Sequence, residues 1–339
     1  MTNSVGAVTN SVDAVTSQAA AFRATFDRLK TEIGKVFVGQ SALVDHLLIC
    51  FFCRGHALIE GAPGLGKTLL IKTLSEAADL TFARVQCTPD LMPADVTGTN
   101  LLVETPGGHR EFVFQRGPIF ANVLLADEIN RATPRTQAAF LEAMQESRVT
   151  VFGVTHALDV PFSVFATQNP IEMEGTYPLP EAQLDRFFFK LSVPAPGVDD
   201  MAEIMARTTG DQHPRVTRCV DIDGVRSMLG LIKQVKIADD TMRFVLKLVR
   251  ATHPDADEAP AEIKQYVRYG ASPRAAQSII LAAKTLALIA GRYSVAVDDL
   301  RQVAVPALNH RLILNFHGEM ERVTATSLVE RLVASLGTA

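Results

Sequence analysis

Short apolar runs alternate with segments of helical spacing in the N-terminal part of the chain. Five apolar runs predict buried strands, at 57–59, 82–87, 123–126, 162–166 and 187–191. Helical spacing of apolar residues marks the segments 18–32, 41–53, 67–78 and 134–146. Apolar strands that alternate with helices are typical of a parallel sheet that helices cover on both faces. We therefore predict an α/β fold for this part of the chain.

Two segments interrupt this alternation, and both have the pattern of a β-hairpin. In the first, at 101–114, β-rich flanks surround Pro106-Gly107-Gly108, which is a strong turn signal. The second, at 149–161, has β-rich flanks that turn near Gly153. We expect both hairpins to be insertions in the α/β fold.

The pattern changes after the Pro- and Gly-containing segment 194–197. The following chain is amphipathic with helical spacing at 199–208, 222–233, 239–252, 272–290 and 296–308. We therefore predict an all-α second domain at 197–339 and an α/β domain at 18–196. Residues 1–17 carry repeated TNSV and AVT pieces, which indicate a flexible leader.

Composition and charge exclude several classes of protein. The chain is 47% hydrophobic and 21% charged, with a net charge of −4 and a pI near 6.1. A basic stripe, as nucleic-acid-binding or anionic-membrane-binding proteins usually have, is therefore not expected. No apolar stretch is long enough to span a bilayer, and the N-terminus lacks a secretory signal pattern. We expect a cytoplasmic protein, in which Cys50 and Cys53 are buried free thiols and not a redox or metal pair.

Residues 61–68 read GAPGLGKT, which fits the phosphate-loop pattern GxxxxGK[ST] between a predicted strand and a predicted helix. Glycines let backbone N–H groups surround phosphate oxygens, and a helix N-terminus adds partial positive charge. Lys67 is expected to reach the β- and γ-phosphates of ATP, and Thr68 to ligate Mg²⁺. The predicted nucleotide-contacting residues of this segment are Gly61, Ala62, Pro63, Gly64, Leu65, Gly66, Lys67, Thr68 and Leu69.

Polar residues follow two of the predicted strands. The strand at 123–126 ends in Asp127 and Glu128, and the strand at 162–166 is followed by Thr167, Gln168 and Asn169. With a phosphate loop present, Asp127 is suited to the Mg²⁺ site and Glu128 to activating a water. Asn169 is suited to orienting that water. Without the loop, the two acids would be solvent-facing and Asn169 an ordinary turn residue.

These motifs, taken in order, resemble those of the AAA+ ATPases. The segments DEINRATPRTQAAFLEAMQE, ATQNPIEMEGTYPLPEAQLDRFFF and GASPRA are similar, more narrowly, to the MoxR family. This family belongs to a branch that also holds magnesium chelatase motor subunits and carries inserted hairpins. The resemblance covers roughly residues 20–320, and it departs from the family pattern at Thr133, where Ala or Pro is commoner.

The resemblance implies roles for residues outside the phosphate loop. Asn169 matches the sensor 1 position, and Arg274 in ASPRA matches the sensor 2 arginine on a lid helix. The segment containing Val38 and Gly39 matches the one that borders the adenine. Arg186 in LDRF matches the arginine finger, which acts on ATP bound by an adjacent subunit.

Taken alone, Arg186 would be an ordinary cation at the end of a helix. If Arg186 is the arginine finger, as the resemblance implies, then its guanidinium lies at the domain edge and reaches only the γ-phosphate bound by a neighbouring subunit. The resemblance therefore implies a homo-oligomeric ring, which by family analogy is a hexamer.

We therefore expect a Mg²⁺-dependent ATP hydrolase that acts as a chaperone-like motor on a protein partner. The resemblance further implies a client protein and a partner with a von Willebrand factor A domain. The acidic net charge argues against a nucleic-acid partner, and the lack of a long apolar stretch argues against membrane insertion. Two alternatives stay open from the sequence. One is a nucleic-acid-dependent motor of a related branch, and the other is an ATP-dependent assembly scaffold with negligible turnover.

Overall fold

A five-stranded parallel sheet forms the centre of the α/β part of the protein. The computed structural model describes residues 3–104, 109–170, 175–210 and 214–336. Its strands are β1 (Ala57–Glu60), β2 (Phe82–Gln86), β3 (Gly98–Glu104), β4 (Arg110–Arg116), β5 (Val123–Asp127), β6 (Arg148–Val151), β7 (Val154–Ala157), β8 (Ser163–Gln168), β9 (Phe189–Ser192), β10 (Val267–Tyr269) and β11 (Ile313–Leu314). The main sheet has the order β2-β5-β8-β1-β9 with parallel pairing throughout. The predicted α/β fold is confirmed, and each predicted strand is present to within two or three residues.

Helices flank this sheet and make up most of the C-terminal part. They are α1 (Asn3–Val36), α2 (Ser41–Phe52), α3 (Lys67–Ala77), α4 (Pro93–Thr97), α5 (Pro134–Glu146), α6 (Glu181–Leu184), α7 (Val198–Thr208), α8 (Ile222–Ile232), α9 (Asp239–Arg250), α10 (Ala261–Tyr266), α11 (Pro273–Ile289), α12 (Val297–Leu308), α13 (Phe316–Met320) and α14 (Ala325–Ser335). Among the described helices, every one is too short or too polar to cross a lipid bilayer.

By packing, the chain divides into two compact units. The α/β unit contains Ile33–Leu43 and Arg54–Ile222, and the helical unit contains Met1–Glu32, Val44–Cys53 and Asp223–Ala339. These units differ from the predicted domains, because most of α1 and α2 packs with the later helices. A division by packing does not show which segments fold independently. The predicted domain boundaries, between residues 17 and 18 and between residues 196 and 197, therefore stay predictions. Helix α1 runs through most of the predicted leader, and the mobility of that segment stays a prediction.

The strands of the α/β unit are in register so that their carboxyl ends meet at one edge. In the β5–β8 pair, Ala126 lies opposite Ala166, which places the residues that follow them side by side. All five residues of β5 are buried, and the apolar core beneath the sheet includes Phe140 of α5. Helix α5 begins where Thr133 accepts a hydrogen bond from the Thr136 amide.

Both predicted hairpins are present. Strands β3 and β4 form the first, and its predicted turn at 106–108 lies outside the described residues. Strands β6 and β7 form the second, which turns at Phe152 and Gly153, both with positive φ. The Phe114 ring of the first hairpin stacks on the His156 ring of the second, with centroids 4.1 Å apart. The two hairpins therefore contact each other through an aromatic pair.

The helical unit is built around aromatic and thiol side chains that helices bury. The Phe52 ring packs against those of Phe22 and Phe26, with centroids 5.4 and 6.2 Å apart. Both thiols of the CxxC segment are free: Cys50 is buried, and Cys53 is half-buried with its Sγ 3.2 Å from Thr285 Oγ1. Burial raises the pKa of Cys53 to about 12 and also raises that of Cys50. These thiols are therefore poor nucleophiles, as expected. A two-stranded β10–β11 ribbon was not anticipated.

His56 is a buried histidine of the α/β core and not a metal ligand. Its Nε2–H donates to the Met144 carbonyl oxygen at 3.1 Å, and its Nδ1 accepts from the Val164 amide at 2.9 Å. Burial lowers the pKa of His56 to about 4, because the charged imidazolium would be desolvated there. The ring is therefore neutral, with one tautomer selected by its two backbone partners.

We predict that His56 makes stability depend on pH. Its pKa is lower in the folded than in the unfolded state, so the unfolded chain takes up a proton first as the pH falls. The stability from His56 is complete above the unfolded pKa of 6.5 and is lost towards the folded pKa of about 4, at about 1.4 kcal/mol per pH unit. Thermal unfolding of wild type and His56→Gln between pH 7 and pH 5 should show the steeper loss in wild type. Equal slopes would contradict this account.

Candidate active site

A cavity lies at the carboxyl-terminal edge of the central sheet, and most of the predicted site residues line it. Its volume is about 330 Å³. The lining residues are Pro63, Gly64, Leu65, Gly66, Lys67, Thr68, Leu69, Asp127, Glu128, Thr167, Gln168 and Asn169. The structure therefore brings together three separate stretches of chain: the loop after β1, the end of β5 and the end of β8.

The loop between β1 and α3 has the backbone of a phosphate-binding loop. Gly64 and Gly66 have φ angles of +81° and +77°, a region that side-chain-bearing residues rarely adopt. Gly66 is also the N-cap of α3 and, as a glycine, has no side chain that could cap the first amides of the helix. Exposed amides at the N-terminus of an 11-residue helix form a site for an anion such as a phosphate.

Lys67 folds back over this loop. Its ammonium donates to the carbonyl oxygens of Gly61 and Ala62, both at 2.7 Å. Gly61 and Ala62 thus contribute to the loop by orienting Lys67. Burial lowers the pKa of Lys67, while the nearby charges of Asp127 and Glu128 oppose that shift. The result is a cation held between the loop and the two acids.

Asp127 is buried, and both of its carboxylate oxygens accept hydrogen bonds. Oδ2 accepts from Arg84 Nε and Nη2 at 3.0 and 2.7 Å, and Thr68 Oγ1 lies 3.5 Å from the same oxygen. Oδ1 accepts from the Thr167 hydroxyl at 2.5 Å. The carboxylate is therefore held from two sides, with its Oδ2 directed towards the Thr68 hydroxyl.

Glu128 continues from β5 with a left-handed backbone, at φ +58° and ψ +51°. This conformation is uncommon for a residue with a side chain, and its amide is held by the Thr167 Oγ1 at 2.8 Å. The Glu128 Oε2 accepts from Gln86 Nε2 at 3.1 Å and from Arg131 Nη1 at 3.0 Å. Arg131 thus contacts Glu128 within its own chain.

The Thr68 hydroxyl and the Asp127 carboxylate fit a magnesium site. Within the described ranges, no group of three or more His, Cys, Asp or Glu side chains is arranged to hold a metal ion. One carboxylate and one hydroxyl nevertheless suit Mg²⁺, which keeps several waters and takes further oxygen ligands from substrate phosphates. The donor set therefore fits a metal that arrives with a nucleotide.

Asn169 lies at the end of β8, is buried and lines the same cavity. Arg186 lies between α6 and the edge strand β9, and its Nη1 donates to the Leu141 carbonyl oxygen of α5 at 3.2 Å. In the described chain, the residues that line the cavity do not include Arg186. An arginine finger has to lie at the edge of the domain and outside the nucleotide pocket of its own chain. The position of Arg186 is compatible with that requirement, and its role as an arginine finger stays a prediction.

Val38 and Gly39 belong to the α/β unit and precede α2. Val38 is buried, and Gly39 has a φ of +68° with the Asp200 carboxylate directly above it. A Cβ atom on Gly39 would lie 2.6 Å from an Asp200 oxygen, and both this contact and the positive φ favour glycine there. The predicted contact of this segment with adenine stays a prediction.

Arg274 is exposed in the first turn of α11, in the helical unit. The helix begins at Ser272, whose Oγ accepts from the Arg274 amide at 3.2 Å. A cation near a helix N-terminus is unfavourable with respect to the helix dipole. Its sensor role stays a prediction.

Three polar side chains form hydrogen bonds with Asp127 or Glu128 although the sequence predicted no role for them: Arg84, Gln86 and Thr167. Arg84 and Gln86 are two residues apart in β2, so their side chains lie on the same face of the strand. Gln86 is paired in register with Asp127 of β5. This spacing of two polar residues in a predicted strand is the sequence signal from which a polar face on β2 could have been predicted. Thr167 gave no separate signal, because a threonine at a strand end is ordinary.

The phosphate loop, the acidic strand end and the order of the sheet define an AAA+-type ATPase. A family model described as ATPase family associated with various cellular activities (AAA) matches residues 56–189, and an AAA lid domain model matches residues 260–332. A crystal structure of a candidate ATPase from Cytophaga hutchinsonii has a TM-score of 0.88 at 38% identity. The structural match covers 96% of the present chain and 98% of the Cytophaga hutchinsonii chain.

Similarity to curated proteins identifies the family within this class of ATPases. The chain is 38% identical to Chaperone MoxR1 of Mycobacterium tuberculosis, over 92% of this chain and 82% of the relative. It is 30% identical to Protein MoxR of Paracoccus denitrificans, over 87% of this chain and 90% of the relative. The chain belongs to the MoxR family of AAA+ ATPases. The narrower branch that carries inserted hairpins stays a prediction.

We predict that Lys67→Ala weakens the binding of MgATP by about 10–100-fold, because a charge-assisted hydrogen bond is worth about 1.5–3 kcal/mol. The matched control is Lys72→Ala on the same helix, where Lys72 is exposed and lies 3.7 Å from Glu76. Titration of a fluorescent ATP analogue measures both affinities. Equal affinities for the two variants would exclude Lys67 from phosphate binding.

Proposed function

We propose that this protein is a Mg²⁺-dependent ATP hydrolase that works as a homo-oligomeric ring and remodels a protein partner. The observation that carries the proposal is that the phosphate loop, Asp127, Glu128 and Asn169 meet in one and the same cavity. These groups are the ones needed to hold a triphosphate and to activate a water beside it. Membership of a family of ATPases supports the same reaction.

Each residue has a separate part in the proposed reaction. The loop amides and Lys67 bind the phosphates, and Mg²⁺ held by Thr68 and Asp127 would neutralise charge on them. Glu128 accepts a proton from the attacking water, which makes that water a better nucleophile. Asn169, at the end of the neighbouring strand, orients the same water through its amide.

A ring completes the site. Arg186 lies at the edge strand of the sheet, where its guanidinium is suited to reach the γ-phosphate of an adjacent copy. We propose six copies, by analogy with the family. Arg274 then acts from the helical unit as the residue that senses the γ-phosphate.

A protein client fits the surface of the two hairpins. Phe112 of β4 and Phe152 at the β6–β7 turn are 73% and 76% exposed, and Leu102 of β3 is 54% exposed. Large exposed apolar patches mark sites that bind other molecules, proteins included, and we propose that these side chains form such a patch. A relative named as a chaperone supports the same role. We further propose a partner with a von Willebrand factor A domain, on the family resemblance alone.

We predict that Glu128→Gln keeps MgATP affinity but lowers the turnover number by about 100-fold or more, because general base catalysis contributes about 10²–10⁴-fold. Glu76→Gln is the matched control, since Glu76 is an exposed residue of α3 that pairs with Lys72. Steady-state phosphate release and analogue binding measure the two properties. Near-normal turnover in Glu128→Gln would remove Glu128 from its proposed role.

We predict that Arg186 acts between subunits. Mixing Arg186→Ala with Lys67→Ala subunits should restore part of the lost ATP turnover, because an intact nucleotide pocket then meets an intact arginine. Each variant alone, at the same total concentration, is the control. Phosphate release is measured across mixing ratios. No recovery at any ratio would contradict action in trans.

A further inference from the structure

We propose that Thr167 is a positioning residue that aligns both acids of the site, a role that rests on the proposed ATPase function. One hydroxyl connects two functional groups. It donates to Asp127 Oδ1 at 2.5 Å and accepts from the Glu128 amide at 2.8 Å.

The polarity of this bridge is unambiguous. A threonine hydroxyl carries one proton and two lone pairs, and a carboxylate without a proton only accepts. The proton therefore goes to Asp127, which leaves a lone pair for the Glu128 N–H. Both bonds are made at once without competition. Serine retains this chemistry, whereas valine has nearly the same shape as threonine and neither a donor nor an acceptor.

The fold explains why Thr167 is in this place. Ala126 and Ala166 are paired across the parallel strands β5 and β8, so the next residues, Asp127 and Thr167, lie side by side. Thr167 is fully buried, and Asp127 is 8% exposed. Water is therefore excluded from the Thr167 side of the carboxylate, and a lost hydroxyl would leave Asp127 Oδ1 and the Glu128 amide without their bond.

Two consequences follow for the site. Thr167 on Oδ1, together with Arg84 on Oδ2, orients the carboxylate so that Oδ2 is directed towards Thr68 Oγ1, 3.5 Å away, where the proposed metal would be held. Holding the Glu128 amide stabilises the left-handed backbone that turns the Glu128 side chain out of the strand direction. Thr167 therefore acts on the metal-binding acid through its side chain and on the water-activating acid through its backbone.

The test compares Thr167→Val and Thr167→Ser with wild type. Residues that orient metal ligands typically contribute about 10–100-fold to metal affinity or activity. We expect Thr167→Val to lower kcat for ATP by about 10–100-fold with a KM for ATP within about threefold of wild type. Thr167→Ser should recover most of that loss. Ser163→Ala is the matched control, because Ser163 is buried in the same strand and its Oγ forms no hydrogen bond within the described chain.

A second readout does not depend on turnover. In thermal unfolding with ATP and increasing Mg²⁺, Thr167→Val should need about tenfold more Mg²⁺ for half of the wild-type stabilisation, and Thr167→Ser should not. If Thr167→Val does not fold, Thr167→Ala replaces it in both assays.

The outcomes separate the inference from the proposed function. Wild-type turnover and wild-type Mg²⁺ dependence in Thr167→Val would overturn the role of Thr167 while leaving the ATPase proposal intact. The same losses in Thr167→Ser or in Ser163→Ala would also overturn it, since they would reflect packing and not the hydroxyl. If wild type hydrolyses no ATP, the proposed function fails, and the Mg²⁺ titration still decides the role of Thr167.

Discussion

Parallel pairing of β5 with its neighbours is the constraint on which the rest of the site depends. Strand β5 is buried along its whole length, so its register with β2 and β8 is set by apolar packing on both faces. That register brings the ends of the three strands to one edge. Gln86 and Asp127 are consequently paired, and Thr167 lies beside Asp127. A slip of one residue in β8 would separate the two acids from their shared hydroxyl.

Charge balance is the second feature that organises the site. Two carboxylates at adjacent positions would repel each other in a partly buried cavity. Arg84 lies against Asp127, and Arg131 lies against Glu128, so each acid has a cation partner within its own chain. Lys67 is also held near both acids by the loop carbonyls. A phosphate group that entered this cavity would therefore meet groups whose charges are already paired.

The fold and most of the cavity lining could be predicted, because both depend on local patterns. Apolar runs with turn signals identified the strands, and the glycines with Lys67 and Thr68 identified the loop. The packing of α1 and α2 with the later helices was not predicted, since it depends on contacts between distant segments, such as that of Cys53, directly after α2, with Thr285 of α11. The partners Arg84 and Thr167 were also missed, because each comes from a different strand and becomes adjacent to Asp127 only in the folded sheet.

By itself, the sequence determined the class of fold, the phosphate loop, the acidic strand end and the family resemblance, because each is encoded in a short stretch with its own pattern. Only the tertiary structure decided how the acids are held. The Thr167 bridge, which also holds the left-handed turn at Glu128, and the contact of Arg186 with α5 both join segments far apart in the chain. Hydrogen bonds act over about 3 Å, so only the packed sheet brings these partners within reach.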